Sequence, residues 1–136
     1  MKHLLALIVL LMSSLSVSAS DFTEGKHVKI SGTILCDTFE QLDEILSAQE
    51  KSFADADKVY QKWRMTLNDL NQSSCMYIGP PRWFEGVPNK VIKTYVVFIP
   101  SGKQLVTHAL SIIWTDRNGN RHSGFFASDR EIVPED

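Results

Sequence analysis

Three histidines, His27, His108 and His122, are the side chains best suited to metal binding or proton transfer beyond the first twenty residues. No two of them are spaced by two or four residues, and no cysteine stands at a spacing typical of a zinc site. His108 and His122 fall on two strands predicted to be neighbours, so a metal site across that hairpin is one interpretation. We prefer the other, in which both are ordinary strand residues, and the sequence predicts no metal and no cofactor.

Asp116 opens the run Asp-Arg-Asn-Gly-Asn, which resembles the start of a calcium-binding loop. A complete loop needs an acidic residue at its twelfth position, and here that position is Ala127. The Asn-Gly pair is typical of a hairpin turn instead. The sequence contains no Gly-x-Ser-x-Gly elbow, no glycine-rich phosphate loop and no Cys-x-x-Cys pair. It therefore indicates no catalytic residue, although an enzyme site assembled from distant positions stays open.

One short segment has the composition of a protein-binding hot spot. Arg82, Trp83 and Phe84 follow two prolines, and an arginine beside two aromatic residues is typical of the residues that dominate protein–protein contacts. We take these three residues as the candidate binding loop. The interpretation that we favour for the two aromatic side chains is that Trp83 or Phe84 tucks under the sheet and holds the loop in place.

Residues 1–19 have the pattern of a signal peptide. Lys2 supplies a positive charge, residues 4–15 are almost continuously apolar, and the small residues up to Ala19 fit the cleavage rule, which places the mature start near Ser20. The apolar run of about 12 residues is shorter than the ~20 that a membrane-spanning helix needs. We therefore expect a cleaved signal peptide and a periplasmic or secreted protein. The alternative is an uncleaved membrane anchor.

The rest of the chain, residues 20–136, is long enough for a single domain with its own core. Without Lys2 it holds 13 lysines and arginines against 16 aspartates and glutamates, a net charge near −3 that is spread without blocks. Nucleic acids and anionic membranes bind basic patches. The sequence therefore predicts no nucleic acid as partner and no stable membrane insertion after processing.

Cys36 and Cys75 are the two cysteines of the chain. In an exported protein an even number of cysteines favours a disulfide, and two cysteines allow only one intramolecular pairing. The sequence therefore predicts a Cys36–Cys75 disulfide. Two free buried thiols, which behave as small apolar side chains, are the alternative.

Apolar residues recur at spacings of three and four over residues 39–70, which is a strong helical pattern. One straight helix of this length would span ~50 Å. It would hold Cys36 and Cys75 apart, although the Cα atoms of a disulfide lie within ~7 Å. The pattern therefore predicts two antiparallel helices, at Thr38–Ala48 and Phe53–Asn71. The alternative is a coiled-coil seam between two chains, because the heptad repeat is nearly unbroken.

The remaining segments have the alternation and composition of β-strands. Residues 76–90 are a Pro/Gly-rich connection that cannot be regular throughout, and residues 128–136 are an acidic end that we expect to fray. The predicted fold class is α+β, with a helical pair tied by one disulfide and packed on an antiparallel meander sheet of three to five strands. The predicted strands are His27–Leu35, Val91–Ile99, Gln104–Thr115 and Arg121–Ala127.

The run from Gly32 to Thr38 reads Gly-Thr-Ile-Leu-Cys-Asp-Thr, and Glu40-Gln41, a helix, a second cysteine and a terminal hairpin follow it. This pattern resembles a group of small exported proteins of proteobacteria. Those proteins share a strand that ends in Cys-Asp-Thr, an acidic-Gln pair and a downstream cysteine. The resemblance covers about the first half of the mature chain. It implies a Gram-negative periplasmic setting, and it implies neither an activity nor a functional residue.

Three hypotheses for function follow from the sequence. The preferred one is a small exported binding module, an accessory or inhibitor-like protein that acts on another envelope or secreted protein through the candidate binding loop. The second is a self-assembling structural component, in which the apolar face of the predicted helices or an exposed edge of the sheet forms contacts between chains. The third is an enzyme or small-ligand carrier, which requires a concave pocket with convergent polar groups.

Overall fold

The computed structural model describes residues 21–64 and 73–135. Within these ranges the chain forms two helices, α1 (Phe39–Gln49) and α2 (Phe53–Trp63). The strands are β1 (Phe22–Thr23), β2 (Val28–Ile30), β3 (Thr33–Cys36), β4 (Cys75–Ile78), β5 (Phe84–Phe98), β6 (Gln104–Thr115), β7 (Arg121–Ser128) and β8 (Ile132–Val133). The predicted signal peptide lies outside the described residues. In the described part, neither helix has the length and apolar character needed to cross a bilayer.

Six strands form one sheet in the order β2-β5-β6-β7-β3-β4, with every neighbouring pair antiparallel. The predicted α+β class is confirmed, but the predicted sheet of three to five strands is too small. Two differences explain the larger count: the predicted strand His27–Leu35 is divided into β2 and β3, and the Pro/Gly-rich connection contains most of β4. The connection also contains the first part of β5, which begins earlier than the predicted strand Val91–Ile99. Pro88 lies inside β5 beside a shift in register, where a residue without an N–H is tolerated.

The sheet curls back on itself through residues 28–36. β2 and β3 are separated only by Ser31 and Gly32, yet β2 pairs with β5 at one end of the sheet and β3 pairs with β7 and β4 at the other. Gly32 has φ = +80°, a conformation that favours glycine, and its N–H donates to the Ile78 carbonyl oxygen at 2.7 Å. One stretch of chain therefore joins both ends of the sheet.

Local capping explains why the helical pattern forms two helices. The Thr38 hydroxyl accepts a hydrogen bond from the Gln41 N–H at 3.2 Å, and the Gln41 side chain accepts one from the Thr38 N–H at 3.3 Å. This reciprocal capping box begins α1. The Ser52 hydroxyl accepts from the Asp55 N–H at 3.0 Å and begins α2. The predicted helical pair is therefore confirmed, and α1 matches its predicted bounds to within one residue.

The predicted second helix is too long. α2 ends at Trp63 and not at Asn71, because Arg64 is extended, with φ = −65° and ψ = 146°. Arg64 forms a parallel β-bridge with Cys75, so the chain has already begun its return to the sheet. The rest of the predicted helix, residues 65–71, lies outside the described residues.

Cys36 and Cys75 form the predicted disulfide. The two residues are directly opposite each other on β3 and β4, with their Cα atoms 4.0 Å apart. The bond joins positions 39 residues apart, and closing a loop of this length contributes roughly 3–4 kcal/mol in the chain-entropy model. Both helices lie inside the closed loop, so the bond ties the helical pair to the sheet.

The buried apolar residues form two clusters on opposite faces of the sheet. Strand β7 shows the alternation, because Phe125 and Ala127 pack towards the helices whereas Phe126 points into the curl. The apolar stripe of α1 is buried in the chain's own core and is not a free coiled-coil seam. The helix-side cluster includes Leu42, Ile45, Leu46, Tyr95 and Val97, and the cluster inside the curl includes Phe22, Ile30, Leu35, Phe84, Leu110, Ile112 and Phe126.

The C-terminal segment contributes to the second cluster. Phe22 and Thr23 of β1 pair in parallel with Ile132 and Val133 of β8, and the Arg130 guanidinium lies 3.9 Å from the centroid of the Phe22 ring. Ile132 of β8 thus packs against the cluster that contains the buried ring of Phe22, and fraying of residues 128–136 stays a prediction.

Candidate binding site

The three residues of the candidate binding loop point in different directions. Phe84 is the first residue of β5 and only 5% exposed, with its ring 5.9 Å from the Phe126 ring in an edge-to-face contact. Most of its side chain therefore packs in the core, and it also forms part of the lining of the groove described below. Trp83 is 54% exposed and Arg82 is also exposed. Neighbouring residues at the start of a strand point to opposite faces, which explains why Phe84 is buried and Trp83 is not.

Trp83 is exposed, but the loop that carries it is held in place. The Arg82 N–H donates to the Gly79 carbonyl oxygen at 2.9 Å, and the Ser31 hydroxyl donates to the Arg82 carbonyl oxygen at 2.7 Å. The Lys29 ammonium lies 4.8 Å from the centroid of the Trp83 ring, within cation–π range. The hydrogen bonds hold the backbone of the loop, and the Lys29 ammonium lies over one face of the indole.

Trp83 borders a groove of about 770 Å³, which we call the tryptophan groove. The groove is open to solvent and is lined by four segments of the chain, which together contribute two tryptophans and five charged side chains. It is lined by Leu35, Asp37, Ser74, Cys75, Met76, Ile78, Pro81, Arg82, Trp83, Phe84, Glu85, Trp114, Thr115, Asp116 and Arg117.

Trp114 is the second tryptophan of this groove. It is directly opposite Gly86 in the β5–β6 ladder, and a Cβ atom on Gly86 would clash with the Ile113 carbonyl oxygen and lie 2.8 Å from the Trp114 Cα. On the other side, a Cβ atom on Gly124 would lie 3.3 Å from the indole nitrogen. The His122 ring stacks on the indole at 4.5 Å. Two glycines therefore make room for Trp114, and His122 covers one of its faces.

The hairpin turn between β6 and β7 forms one wall of the groove. Oδ1 of Asp116 accepts hydrogen bonds from the N–H groups of Asn118 and Asn120, each at 2.9 Å, and Oδ2 lies 2.8 Å from His122 Nε2. The hydrogen bond with His122, followed by that with Asn120, lowers the pKa of Asp116 to about 2. Both oxygens of Asp116 thus stabilise the turn and its neighbouring strand, as expected of a hairpin.

A second concavity of about 720 Å³, the helix-side cavity, lies between the helices and the sheet. Its walls are largely apolar, and Phe53, Tyr77 and Leu105 are large side chains that remain exposed there. Polar side chains such as Gln49 and Asp57 also line it. Apolar walls with a few polar groups are typical of small-ligand sites. The ligand-carrier hypothesis therefore has a location in this fold.

The two histidines of the hairpin do not meet. His108 pairs with Ser128 and His122 pairs with Trp114, so the two are six positions apart along the ladder, ~20 Å at the usual rise per residue. A metal ion cannot bridge side chains at that separation. The metal interpretation of this pair is therefore wrong.

His108 instead forms a small polar cluster. Its Nδ1 lies 2.8 Å from the Thr94 hydroxyl oxygen and its Nε2 lies 3.8 Å from a carboxylate oxygen of Glu131. The order of hydroxyl, imidazole and carboxylate resembles a hydrolase triad. None of the three residues lines the tryptophan groove or the helix-side cavity, so the cluster does not face a substrate-sized concavity at either place.

A second polar cluster joins α1 to β5. The buried Tyr95 hydroxyl donates to Asp43 Oδ1 at 2.6 Å, and the Lys93 ammonium donates to the same oxygen at 3.1 Å. The hydrogen bond from Tyr95 lowers the pKa of Asp43, as does Lys93. Burial and then the hydrogen bond to Asp43 raise the pKa of Tyr95. The cluster holds the helix against the sheet and lines neither concavity.

Polar side chains also cover outward-facing backbone groups on the edge strand β4 and on the part of β5 that extends beyond its short pairing with β2. The Val96 N–H on β5 donates to the Glu50 carboxylate at 3.0 Å, and the Tyr77 N–H on β4 donates to the Tyr60 hydroxyl at 2.9 Å. These are groups that an added strand would otherwise pair with. Edge-to-edge assembly at these two positions would have to break existing hydrogen bonds.

Comparison with protein-family models, with curated proteins and with solved structures finds no match to this chain. Among residues 21–64 and 73–135, no group of three or more His, Cys, Asp or Glu side chains is placed to hold a metal ion. Any function assigned to this protein therefore depends on the chemistry of its own side chains.

Proposed function

We propose that this protein is an exported binding module, accessory or inhibitor-like, that acts on another envelope or secreted protein through the tryptophan groove. The observation that carries the proposal is Trp83, a large aromatic side chain that is 54% exposed on a loop fixed by hydrogen bonds. Exposing so much apolar surface has no benefit for folding. A rigid aromatic anchor does benefit binding, because little conformational entropy is lost when the partner docks.

The cysteine chemistry supports the exported setting. Cys36 and Cys75 are bonded to each other, and structural disulfides persist mainly in oxidising compartments such as the periplasm and the extracellular space. The N-terminal pattern of residues 1–19 is the separate, sequence-based reason to expect export.

The test is site-specific photo-crosslinking in intact cells of a Gram-negative host that expresses the full chain. A benzoylphenylalanine at position 83 is expected to capture one discrete heterologous protein. The matched control is the same residue at position 106, because Val106 is equally exposed at 53% but does not line the groove. Capture at both positions alike, or only of a second copy of this chain, would contradict the proposal.

The helix-side cavity favours a second candidate function, a carrier of a small apolar ligand. Native mass spectrometry of the purified protein checks it directly. A co-purifying small molecule that is lost when Ala56, on the wall of the cavity, is replaced by Phe would favour the carrier. A bare protein mass in both forms would leave the binding module as the better supported function.

A further inference from the structure

The carboxylates that line the tryptophan groove are already engaged within the protein. Asp37 accepts a hydrogen bond from the Ser74 N–H at 2.8 Å, and a Glu85 carboxylate oxygen lies 3.9 Å from the Lys29 ammonium. Asp116 uses both of its oxygens in the hairpin turn and on the neighbouring imidazole. Each of these three carboxylates therefore already has at least one partner within the protein, although those of Asp37 and Glu85 keep acceptor sites open to solvent.

The arginines that line the groove are in the opposite situation. Arg117 is exposed and forms neither an ion pair nor a hydrogen bond within the described ranges 21–64 and 73–135. Arg82 donates one long hydrogen bond, 3.4 Å, to the Tyr77 carbonyl oxygen, and in the same ranges it has no carboxylate partner. A guanidinium carries five N–H donors, so most of the donors of both side chains face solvent.

Strand pairing brings these arginines to the same place. Arg82 lies just before β5 and Arg117 lies just after β6, and the pairs Glu85–Thr115 and Gly86–Trp114 align those two strand ends. Both guanidinium groups and both indoles therefore border one groove. The chain as a whole has a net charge of −2, and the groove lining holds three carboxylates besides the two arginines. Recognition of an acidic partner therefore depends on the available donors of the guanidinium groups and not on a positive net charge. Repulsion from the rest of the surface is screened beyond ~8 Å at physiological salt.

We infer that the tryptophan groove binds an acidic segment of its protein partner. One or two carboxylates of that segment pair with Arg82 and Arg117, and an adjacent apolar side chain contacts Trp83 and Trp114. Guanidinium groups bind carboxylates through two parallel hydrogen bonds, which supplies orientation as well as affinity. This inference rests on the proposed function and adds the chemistry of the partner to it.

The test uses a displayed library of random dodecapeptides, selected on the purified protein, and a fluorescein-labelled copy of the most enriched peptide. The enriched peptides are expected to combine Asp or Glu with a neighbouring aromatic or aliphatic residue. The double variant Arg82→Gln/Arg117→Gln should bind the labelled peptide at least about tenfold more weakly, with a smaller dependence on salt. The matched control, Lys51→Gln/Lys58→Gln, removes two exposed charges from residues outside the groove and should bind as the parent does.

Enrichment of neutral or basic peptides, or an unchanged affinity of the double arginine variant, would overturn the inference. Tighter binding of a labelled oligothymidine than of the peptide would overturn it as well, because arginines and tryptophans also stack on single-stranded nucleic acid. A library without enriched peptides would likewise count against an acidic segment. The proposed function is judged separately by crosslinking at position 83, so the two can fail independently.

Discussion

Trp114 and His122 stack with their ring centroids 4.5 Å apart and their planes 25° from parallel. The two residues are directly opposite each other in the β6–β7 ladder. His122 is in turn held by Asp116, whose Oδ2 lies 2.8 Å from its Nε2. Contacts therefore run from the hairpin turn to the indole that lines the groove, and a change in the turn is expected to alter the groove.

Acid should weaken the turn through Asp116. Its pKa in the folded protein is about 2, lower than the ordinary value of 3.8. A group with a lowered pKa stabilises the fold above its ordinary pKa, and this contribution is lost as the pH falls from about 4 to about 2. Asp116→Asn removes the charge but keeps an acceptor for the turn. The variant should therefore show a smaller drop in melting temperature between pH 5 and pH 2 than the parent does.

Circular dichroism melts at several pH values check this prediction. Asp129→Asn is the matched control, since Asp129 is an exposed carboxylate that forms neither a hydrogen bond nor an ion pair within the described residues. Its acid sensitivity should equal that of the parent. If the melting temperature of Asp116→Asn falls in acid as steeply as those of the parent and of Asp129→Asn, the pair of Asp116 with His122 does not stabilise the fold.

Gly86→Ala should disturb both the sheet and the groove. The new Cβ would overlap the Ile113 carbonyl oxygen, and crowding of this kind costs about 1–3 kcal/mol of unfolding free energy. Gly124→Ala is the graded comparison, because its closest contact would be 3.2 Å. Urea unfolding followed by tryptophan fluorescence should rank Gly86→Ala as clearly more destabilised. Equally small losses of unfolding free energy in the two variants would show that strands β5 and β6 can separate at little cost.

Tyr95→Phe should loosen the contact between α1 and β5. The substitution removes a hydrogen bond to the charged Asp43, and water can partly replace it, so we expect a loss of about 1–2 kcal/mol in unfolding free energy. Tyr77→Phe is the control, since its side chain is half exposed and a change there should stay within about 0.5 kcal/mol. Chemical denaturation of both variants measures the difference. Two equally stable variants would contradict a stabilising role for the Tyr95 hydroxyl.

The disulfide should account for a large share of the stability. Cys36→Ser/Cys75→Ser is expected to lose roughly 3–4 kcal/mol, because the loop closed by the bond becomes free in the unfolded chain. The reduced parent protein is the control, since it lacks the bond without a change in sequence. Both should shift the urea midpoint by a similar amount. A midpoint equal to that of the oxidised parent would show that the sheet alone holds β3 against β4.

The helical pair and the disulfide could be predicted because each depends on local or pairwise rules. Ser52 caps a helix with groups three residues away, and the geometry of a disulfide excludes one straight helix between Cys36 and Cys75. β4 and the start of β5 could not be predicted, because prolines and glycines there have the composition of a loop. Their strand conformation depends on partners in β2 and β3 that are distant in the sequence.

The candidate site, like the fold, could be predicted from the sequence only where local composition decides the outcome. The composition of the loop indicates that Trp83 or Phe84 tucks under the sheet, but it does not show which of the two is buried, because that depends on where β5 begins and on the pairing of Phe84 with Ile30. Trp114 has the spacing of a packed strand residue. Its place in the groove depends on the space that Gly86 of β5 and Gly124 of β7 leave beside it. Because both glycines lie on other strands, no pattern within β6 could reveal this.

The closure of the sheet by residues 28–36 has a consequence for the order in which this protein can fold. Leu35, near the start of the described chain, acquires one of its two neighbouring strands only when Phe126 is present. During synthesis, which begins at the N-terminus, the sheet would therefore stay incomplete until nearly all of the chain has emerged. Completion of the fold then depends on the last hairpin, and a fragment that ends before Arg121 should not become native.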